Sequence, residues 1–277
     1  MRLENEYLIA EFVAKGAQLS SLISKQTKLE YIWQANPRVW GYHNPTLFPI
    51  VGSLTGHRYV IDGIEYKMKQ HGLARIFDFE CIHWDDVSCT WQLTDNEESL
   101  NQYPFHFALQ IRYTLEGKRI LIDYKVENRS NKVMPFQFGL HPAFNVPLRP
   151  SKTLEDYRIE LHPECNLKFY NEDLFIKAAS SIPLSETMFE ERPTWMFEDV
   201  LAPYVSLTDG ENGVKVSCAG YRWLAFWKPL KATFVCVEPW HGHGDFSVNN
   251  VLFEQREGTM LLPAGKHWIT SYTIEPF

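Results

Sequence analysis

The sequence of 277 residues lacks the features that mark membrane, secreted and nucleic-acid-binding proteins. No window approaches the roughly 18 uncharged apolar residues of a membrane span, and the first six residues lack the apolar stretch of a signal peptide. Lys and Arg are scattered rather than gathered into a stripe, and the formal net charge is −7, which disfavours a polyanionic partner. We therefore expect a cytoplasmic protein that binds neither membrane nor nucleic acid.

Cysteine is also sparse. The five cysteines are odd in number, widely spread and without a C-x-x-C pair; they are Cys81, Cys89, Cys165, Cys218 and Cys236. This usage fits buried free thiols in a reducing compartment and suggests neither a disulfide framework nor a zinc site.

Helical periodicity is scarce, and only residues 37–40 and 185–189 are candidates for short helices. Alternation of apolar and polar residues dominates instead, as in residues 107–114 and 120–127, which a turn at 115–118 joins into a hairpin. Many strands at short spacing, with turn residues between them, predict an all-β fold built as one large antiparallel sandwich domain over residues 1–277.

Turn residues locate two further hairpins. Asp62-Gly63 accepts the positive φ angles of a type I′ turn between two short apolar runs, and residues 209–213 indicate another turn. Residues 171–203 are the least regular and predict a long excursion across the sheet that shapes one wall of a site. Further strands are expected at residues 7–13, 18–23, 157–161, 222–227, 233–237 and 268–274.

Ionisable residues recur in short motifs beside the predicted strands. A strand end or loop lets a sheet scaffold aim a side chain into a cleft, so His71, His141 and Glu238 are candidates for proton transfer. Nine Trp, thirteen Tyr and eighteen Phe leave rings to spare for stacking on sugar faces. The motifs are NPTLFPIVG at 44–52, HGLAR at 71–75, GLHPAFN at 139–145 and VEPW at 237–240.

These four motifs, in this order and spacing, resemble the aldose 1-epimerase (galactose mutarotase-like) family, and within it the bacterial branch encoded near lactose genes. The likeness extends over nearly the whole chain. It implies a galactose mutarotase-like supersandwich with a few short helices that interconverts the α and β anomers of a hexose without metal or organic cofactor. It also implies that Glu238 is the general base for the anomeric hydroxyl, that His141 is the general acid at the ring oxygen, and that His71 assists.

The chemistry of ring opening agrees with this residue set. A proton must leave O1 while another arrives at O5, so a carboxylate and an imidazolium on opposite sides of the anomeric centre can serve. Imidazole gives and takes protons near neutral pH, and nothing in the reaction demands a covalent intermediate.

The resemblance further implies contacts to the sugar hydroxyls. Family members commonly carry Arg directly after the glycine that matches Gly52, but this chain has Ser53 there, so Arg58 or Arg75 is expected to replace it. Asp199 matches a family Asp that contacts sugar hydroxyls. The expected substrate-binding residues are Arg75, Asp199, Arg58, Asn145 and Trp240.

Three alternatives remain open. In the first, the substrate is a hexose phosphate that Arg58 and Arg75 hold. In the second, the fold is a non-catalytic sugar-binding or sensing module, and in the third, His241 and His243 ligate zinc together with a carboxylate in a metal-dependent hydrolase. Glycines at 242 and 244 make the last segment a loop, which more readily forms the rim of a cleft. The expected partner is a small sugar, and a homodimer is compatible with these features.

Overall fold

An antiparallel sheet of 15 strands forms most of the molecule, in a computed structural model that describes all residues 1–277. This confirms the predicted all-β class with a large antiparallel sheet and few short helices. The helices are α1 (Glu97–Leu100), α2 (Glu186–Glu191) and single 3-10 turns at Thr55–His57, Leu154–Asp156 and Phe253–Gln255. The strands are β1 (Arg2–Glu4), β2 (Leu8–Val13), β3 (Gln18–Ser24), β4 (Thr46–Leu47), β5 (Arg58–Ile61), β6 (Ile64–Lys67), β7 (Glu80–Trp84), β8 (Ser88–Thr94), β9 (Phe107–Glu116), β10 (Arg119–Asn128), β11 (Met134–Phe136), β12 (Gly139–Leu140), β13 (Ala143–Asn145), β14 (Arg158–Phe169), β15 (Phe175–Pro183), β16 (Thr194–Glu198), β17 (Tyr204–Thr208), β18 (Gly213–Ser217), β19 (Trp223–Trp227), β20 (Phe234–Trp240), β21 (Met260–Leu262) and β22 (His267–Pro276).

The order of strands in the sheet brings distant parts of the sequence together. The large sheet runs β4-β12-β20-β19-β16-β14-β17-β18-β22-β10-β9-β8-β7, with β13 paired to β20 and β15 paired to β14. The smaller sheets are β1-β2-β3, β5-β6 and β11-β21. Strands β4, β12 and β20 carry parts of three of the four motifs and lie next to one another at one end of the large sheet.

The alternating residues bury one face of the strands. Strands β9 and β10 pair along their whole lengths, and their apolar positions are buried while most of the intervening polar positions are not. One cluster of 66 buried hydrophobic residues extends from Leu3 to Ile274. A shared core of this extent supports the single domain expected for residues 1–277, which stays a prediction.

Most of the predicted elements are present. Asp62 and Gly63 have φ angles of 52° and 78° between β5 and β6, as the type I′ turn requires. The turn at 209–213 joins β17 to β18, and the six further strands are found as β2, β3, β14, β19, β20 and β22. The predicted helix at 185–189 is α2, whose N-cap Ser185 accepts a hydrogen bond from the Met188 N–H at 3.1 Å. None of the helices is long and apolar enough to span a bilayer.

Two predicted segments were wrong. Residues 37–40 form a turn in which the Asn36 carbonyl accepts from the N–H groups of Val39 and Trp40, rather than a helix. Residues 171–203 are not an irregular excursion, because they contain β15, α2 and β16. The strand β15 is largely exposed and pairs with β14 across register shifts, so its sequence lacks a clear apolar alternation.

Candidate active site

The four sequence motifs meet at the end of the large sheet that contains β4. Gly139 of β12 pairs with Leu47 of β4 on one side and with Trp240 of β20 on the other. The loop at 71–75 is tied to the same place, since the Leu73 N–H donates to the Phe48 carbonyl at 2.7 Å. Gly72 has a φ of +70° and lies so close to that carbonyl that a Cβ would come within 2.4 Å of it. The backbone therefore brings together residues separated by more than 150 positions in the sequence.

A cleft of about 400 Å³ opens at this meeting point. Five of the eight predicted site residues line it, namely His71, Arg75, His141, Glu238 and Trp240. The other lining residues are Trp40, Gly52, Ser53, Gln70, Thr194, Trp227, Gly244, Asp245 and Phe246. A larger hollow, of about 710 Å³, lies over β8, β9, β10 and β22 but contains none of the motif residues.

Glu238 lies on the floor of the cleft. It is an interior residue of β20, which continues to Trp240, so the expectation that it ends its strand was wrong. Its side chain is 1% exposed, yet neither carboxylate oxygen has a hydrogen-bond partner. Burial raises the pKa of Glu238 well above its usual value, and the nearby Trp240 indole, which donates to the Leu140 carbonyl at 3.1 Å, lowers this pKa by less.

His141 faces Glu238 across the floor. The chain between β12 and β13 runs beside β20, and the Val237 N–H donates to the Pro142 carbonyl, which holds the imidazole near the carboxyl. The His141 Nε2 lies 3.3 Å from a Glu238 oxygen, without the angles of a hydrogen bond. Burial lowers the pKa of His141 to about 3, and the charge of Arg75 contributes to the same shift.

Two tryptophan rings fix the plane of the His141 imidazole. Trp40 stacks on it with ring centroids 4.8 Å apart, and Trp227 packs edge-on at 5.3 Å. These walls were not assigned from the sequence, because nothing in it shows which of the nine Trp residues face a cleft.

His71 lies beside His141 and Glu238, and its hydrogen bonding defines its tautomer. Its Nδ1 accepts a hydrogen bond from the Gly52 N–H at 3.1 Å, so in the neutral ring Nε2 carries the proton. Burial lowers the pKa of His71 well below its usual value, and repulsion from His141 and Arg75 adds to this. His71 is therefore a neutral hydrogen-bond donor, and its ring meets His141 edge-on at 5.4 Å.

Arg75 supplies the cation of the cleft, whereas Arg58 does not reach it. The Arg75 guanidinium lies over the Tyr42 ring at 4.8 Å and donates to the Gln70 carbonyl at 2.8 Å, while its buried Nε has no partner. Arg58 is exposed on β5, 3.6 Å from Glu65. Of the two arginines expected to replace the family Arg, only Arg75 lines the cleft.

Two more predicted residues lie away from the cleft. The Asn145 amide donates to the carbonyls of Glu30 and Ile32 at 3.0 and 2.9 Å, so its donors are occupied in holding β13. The Asp199 side chain is 72% exposed, just beyond β16, and lies 3.8 Å from the Arg222 Nε. The expectation that these two side chains lie in the cleft was wrong.

One rim of the cleft is a loop anchored by a buried ion pair. Asp245 pairs with Arg256 and also accepts from the Thr55 N–H at 2.7 Å and the Thr55 hydroxyl at 2.9 Å. The next residue, Phe246, is 61% exposed at the mouth of the cleft. The glycines at 242 and 244 predicted a loop at the rim of the cleft, and Gly244, Asp245 and Phe246 do line it. The ion pair that anchors the loop was not predicted, because Arg256 lies outside the motifs.

Gly52 and Gly244 place two rims of the cleft in direct backbone contact. A Cβ on Gly52 would come within 2.9 Å of the Gly244 backbone, and one on Gly244 within 2.6 Å of the Ser53 N. Only glycine allows this approach without moving the chain. The entrance is therefore shaped by main chain as well as by side chains.

His241 and His243 do not share a metal position. The His241 Nε2 lies 3.3 Å from the Thr270 hydroxyl with its ring against Tyr221, whereas His243 packs between Tyr170 and Trp223. The metal-ligating atoms that do lie together, within 4.8 Å of one another, belong to His141, Cys236 and Glu238.

The arrangement suits an uncharged polyhydroxyl compound. Aromatic faces offer apolar walls, while a buried carboxyl, two neutral imidazoles and one guanidinium offer directed hydrogen bonds. The carboxyl and the imidazole of His141 are close enough to act on two atoms of one ligand.

Comparisons with known proteins agree with these features. A model of the family described as aldose 1-epimerase matches residues 1–252. The plasmid-borne protein LacX of Lactococcus lactis subsp. lactis is 31% identical over 285 residues, which cover 95% of each chain. The galactose mutarotase related enzyme from Lactobacillus acidophilus is 31% identical, with a TM-score of 0.94 over 100% of this chain and 97% of that one. A galactose mutarotase-like protein from Lactobacillus casei is 26% identical, with a TM-score of 0.91 over 100% and 99% of the two chains.

Proposed function

The chain belongs to the aldose 1-epimerase family, and we propose on this basis that it interconverts the α and β anomers of an aldohexose by general acid–base catalysis. One observation supports the assignment of this reaction to Glu238 and His141. The buried carboxyl of Glu238, with no protein hydrogen-bond partner, lies 3.3 Å from the His141 imidazole on the floor of an open cleft. A buried polar group without partners is costly, so its persistence points to a ligand that supplies them.

A hexose meets the demands of this cleft. The C–H face of a pyranose packs against aromatic rings such as Trp40 and Trp227, and hydroxyl groups can donate to both Glu238 oxygens. Arg75 and the Nε2–H of His71 donate to sugar oxygens on the other side. These donors and acceptors fix the anomeric centre between the acid and the base.

In the proposed reaction Glu238 removes the proton from O1 and His141 gives a proton to O5. The C1–O5 bond breaks as the C1–O1 double bond forms, which yields the open-chain aldehyde. Rotation about C1–C2 presents the other face of the carbonyl. His141 then removes the proton from the O5 hydroxyl, O5 attacks C1, and Glu238 returns its proton to O1, so both side chains end as they began.

Burial favours the uncharged form of each group in this pair. It raises the pKa of Glu238 and lowers that of His141, so a proton that the two groups share is favoured on the carboxyl. The proposed step uses the opposite distribution. Sugar hydroxyls that donate to Glu238 favour its ionised form, and the proton that it loses is the one that His141 needs.

The proposal is tested by polarimetry on freshly dissolved α-glucose and α-galactose. We expect catalysed anomerisation with at least one of them, and a loss of about 10² to 10⁴ in kcat for Glu238→Gln, the usual share of a general base. The matched control is Asp199→Asn, an exposed carboxylate outside the cleft, which should retain activity. Failure to accelerate anomerisation of any common aldose overturns the proposal. If Glu238→Gln binds sugar and turns it over at the wild-type rate, the carboxyl is not the base.

The structure gives little support to a phosphorylated substrate. Arg75 is the one arginine that lines the cleft, and two acidic side chains, Asp245 and Glu238, line it as well. A phosphate dianion is usually held by several cations or backbone N–H groups. We therefore expect free sugars to be preferred over sugar 6-phosphates in direct competition.

A further inference from the structure

We propose that the floor of the cleft is also a binding site for Zn²⁺ or a similar thiophilic divalent cation, held by His141, Cys236 and Glu238. The cation and the sugar would exclude each other. The binding stands by itself, whereas the inhibition that follows from it rests on the proposed function.

Three ligand types converge at this point. Cys236 and Glu238 are two residues apart in β20, so their side chains project to the same face. Cys236 packs in a small cluster with Trp40 and Trp227, the two rings that flank His141. A ring nitrogen of His141, the Cys236 thiol and a carboxyl oxygen of Glu238 all lie within 4.8 Å of one another. All three residues are buried.

The spacing of the first two ligands already fits a tetrahedral ion. Bonds of about 2.0 to 2.1 Å at the tetrahedral angle place two ligand atoms about 3.3 Å apart. The His141 Nε2 and the Glu238 Oε2 are separated by 3.3 Å and make no hydrogen bond to each other. A Zn–S bond of about 2.3 Å would place the Cys236 sulfur about 3.6 Å from the other two ligand atoms, so a side-chain movement of at most about 1.2 Å is required. Three protein ligands leave the fourth tetrahedral position for water, and two of the three, His141 and Glu238, line the cleft.

The polar atoms involved are unsatisfied by the protein. Both Glu238 oxygens are buried without a hydrogen-bond partner, in the same place as the imidazole and the thiol. A cation would accept their lone pairs and release to solvent the protons of the Glu238 carboxyl and the Cys236 thiol. The mixed set of nitrogen, sulfur and oxygen favours Zn²⁺, Co²⁺ or Cd²⁺ over Mg²⁺ and Ca²⁺, which prefer oxygen alone.

The surroundings indicate reversible binding rather than a resident metal. Ligating imidazoles are ordinarily fixed by a hydrogen bond from the second ring nitrogen, but the His141 Nδ1 has no partner. Since the ligands include the proposed acid and base, an ion bound here stops anomerisation. By linkage, sugar weakens metal binding as much as metal weakens sugar binding.

Metal binding is measured first, without reference to activity. The full-length chain is titrated with Cd²⁺, and the ultraviolet thiolate-to-cadmium charge-transfer band is followed. We expect the band in the wild type and in Cys89→Ala, which removes another fully buried thiol in β8, and its loss in Cys236→Ala. Absence of the band in the wild type, or its persistence in Cys236→Ala, overturns the proposal. Should Cys236→Ala fail to fold, Cys236→Ser takes its place.

Inhibition is measured next, by polarimetry in the presence of Zn²⁺. We expect Cys236→Ala to retain mutarotation while its half-inhibiting Zn²⁺ concentration rises by at least about tenfold, the scale of loss when support for a metal is removed. Mg²⁺ should not inhibit either protein. Equal zinc sensitivity in wild type and Cys236→Ala contradicts the site. A cadmium band without mutarotation would support the metal site and refute the proposed function, so the two experiments distinguish failure of one proposal from failure of the other.

Discussion

Replacing Glu238 or His141 by Gln should change the pH dependence of stability in opposite directions. Burial favours the uncharged form of each group, but one is an acid whose pKa is raised and the other a base whose pKa is lowered. Each pH unit between the folded and unfolded pKa of a group changes the free energy of unfolding by on the order of 1 kcal/mol.

The sign differs for the two groups. Above its ordinary pKa of 4.5, Glu238 ionises in the unfolded chain but keeps its proton in the folded one, so the wild type loses stability as the pH rises. Below 6.5, His141 takes up a proton in the unfolded chain but not in the folded one until about pH 3, so the wild type loses stability as the pH falls. Between pH 6.5 and 4.5 the His141 contribution amounts to about 3 kcal/mol.

The measurement is urea unfolding of the three proteins across this pH range, followed by tryptophan fluorescence. Relative to wild type, Glu238→Gln should become more stable as the pH rises above 4.5, and His141→Gln more stable as it falls below 6.5. Differences between proteins cancel the titration of all other groups. Three parallel curves would refute the reasoning, because they would mean that both groups titrate in the fold as they do in water and that the cleft floor is not dry.

Three further outcomes follow from contacts around the cleft. Arg256→Ala leaves Asp245 buried without its cation and should lower the unfolding free energy by about 3 to 5 kcal/mol and raise KM; unchanged values of both would contradict the anchoring role. Asn145→Ala removes two hydrogen bonds and should cost about 1 to 3 kcal/mol in urea unfolding while KM stays the same; a raised KM with unchanged stability would restore it as a sugar ligand. Polarimetry should show a raised KM for Arg75→Ala but not for Arg58→Ala. A raised KM for Arg58→Ala alone would mean that Arg58, and not Arg75, contacts the substrate.

Alternation predicted β9 and β10, which each have one buried face, and missed the largely exposed β15. Residues 107–127 show a clear period of two because β9 and β10 each present one side to the core. Strand β15 is mostly exposed, so hydrogen bonds to β14 rather than burial determine its conformation. Residues 37–40 lacked the length to distinguish a helix from a turn. Sequence patterns thus report burial first, and strand pairing only where burial accompanies it.

The site was predicted where a motif placed an ionisable side chain next to paired backbone. His71, His141 and Glu238 lie in the cleft because β4, β12 and β20 are adjacent. Asn145 and Asp199 were chosen from their motif or surroundings in sequence, but the direction of a side chain decides whether it reaches a ligand. That direction depends on tertiary packing, as do the positions of the tryptophan walls.

The touching backbones of Gly52 and Gly244 have a consequence for how relatives of this protein diverge. Glu238 stands on a strand inside the large sheet and His141 lies in the segment beside that strand, whereas Ser53 and Phe246, near the two glycines in the sequence, line the cleft. Substitution of these two side chains therefore changes the shape of the cleft without moving Glu238 or His141. A larger residue at either glycine would force the two backbones apart. We therefore expect both positions to remain glycine among relatives while the neighbouring positions vary.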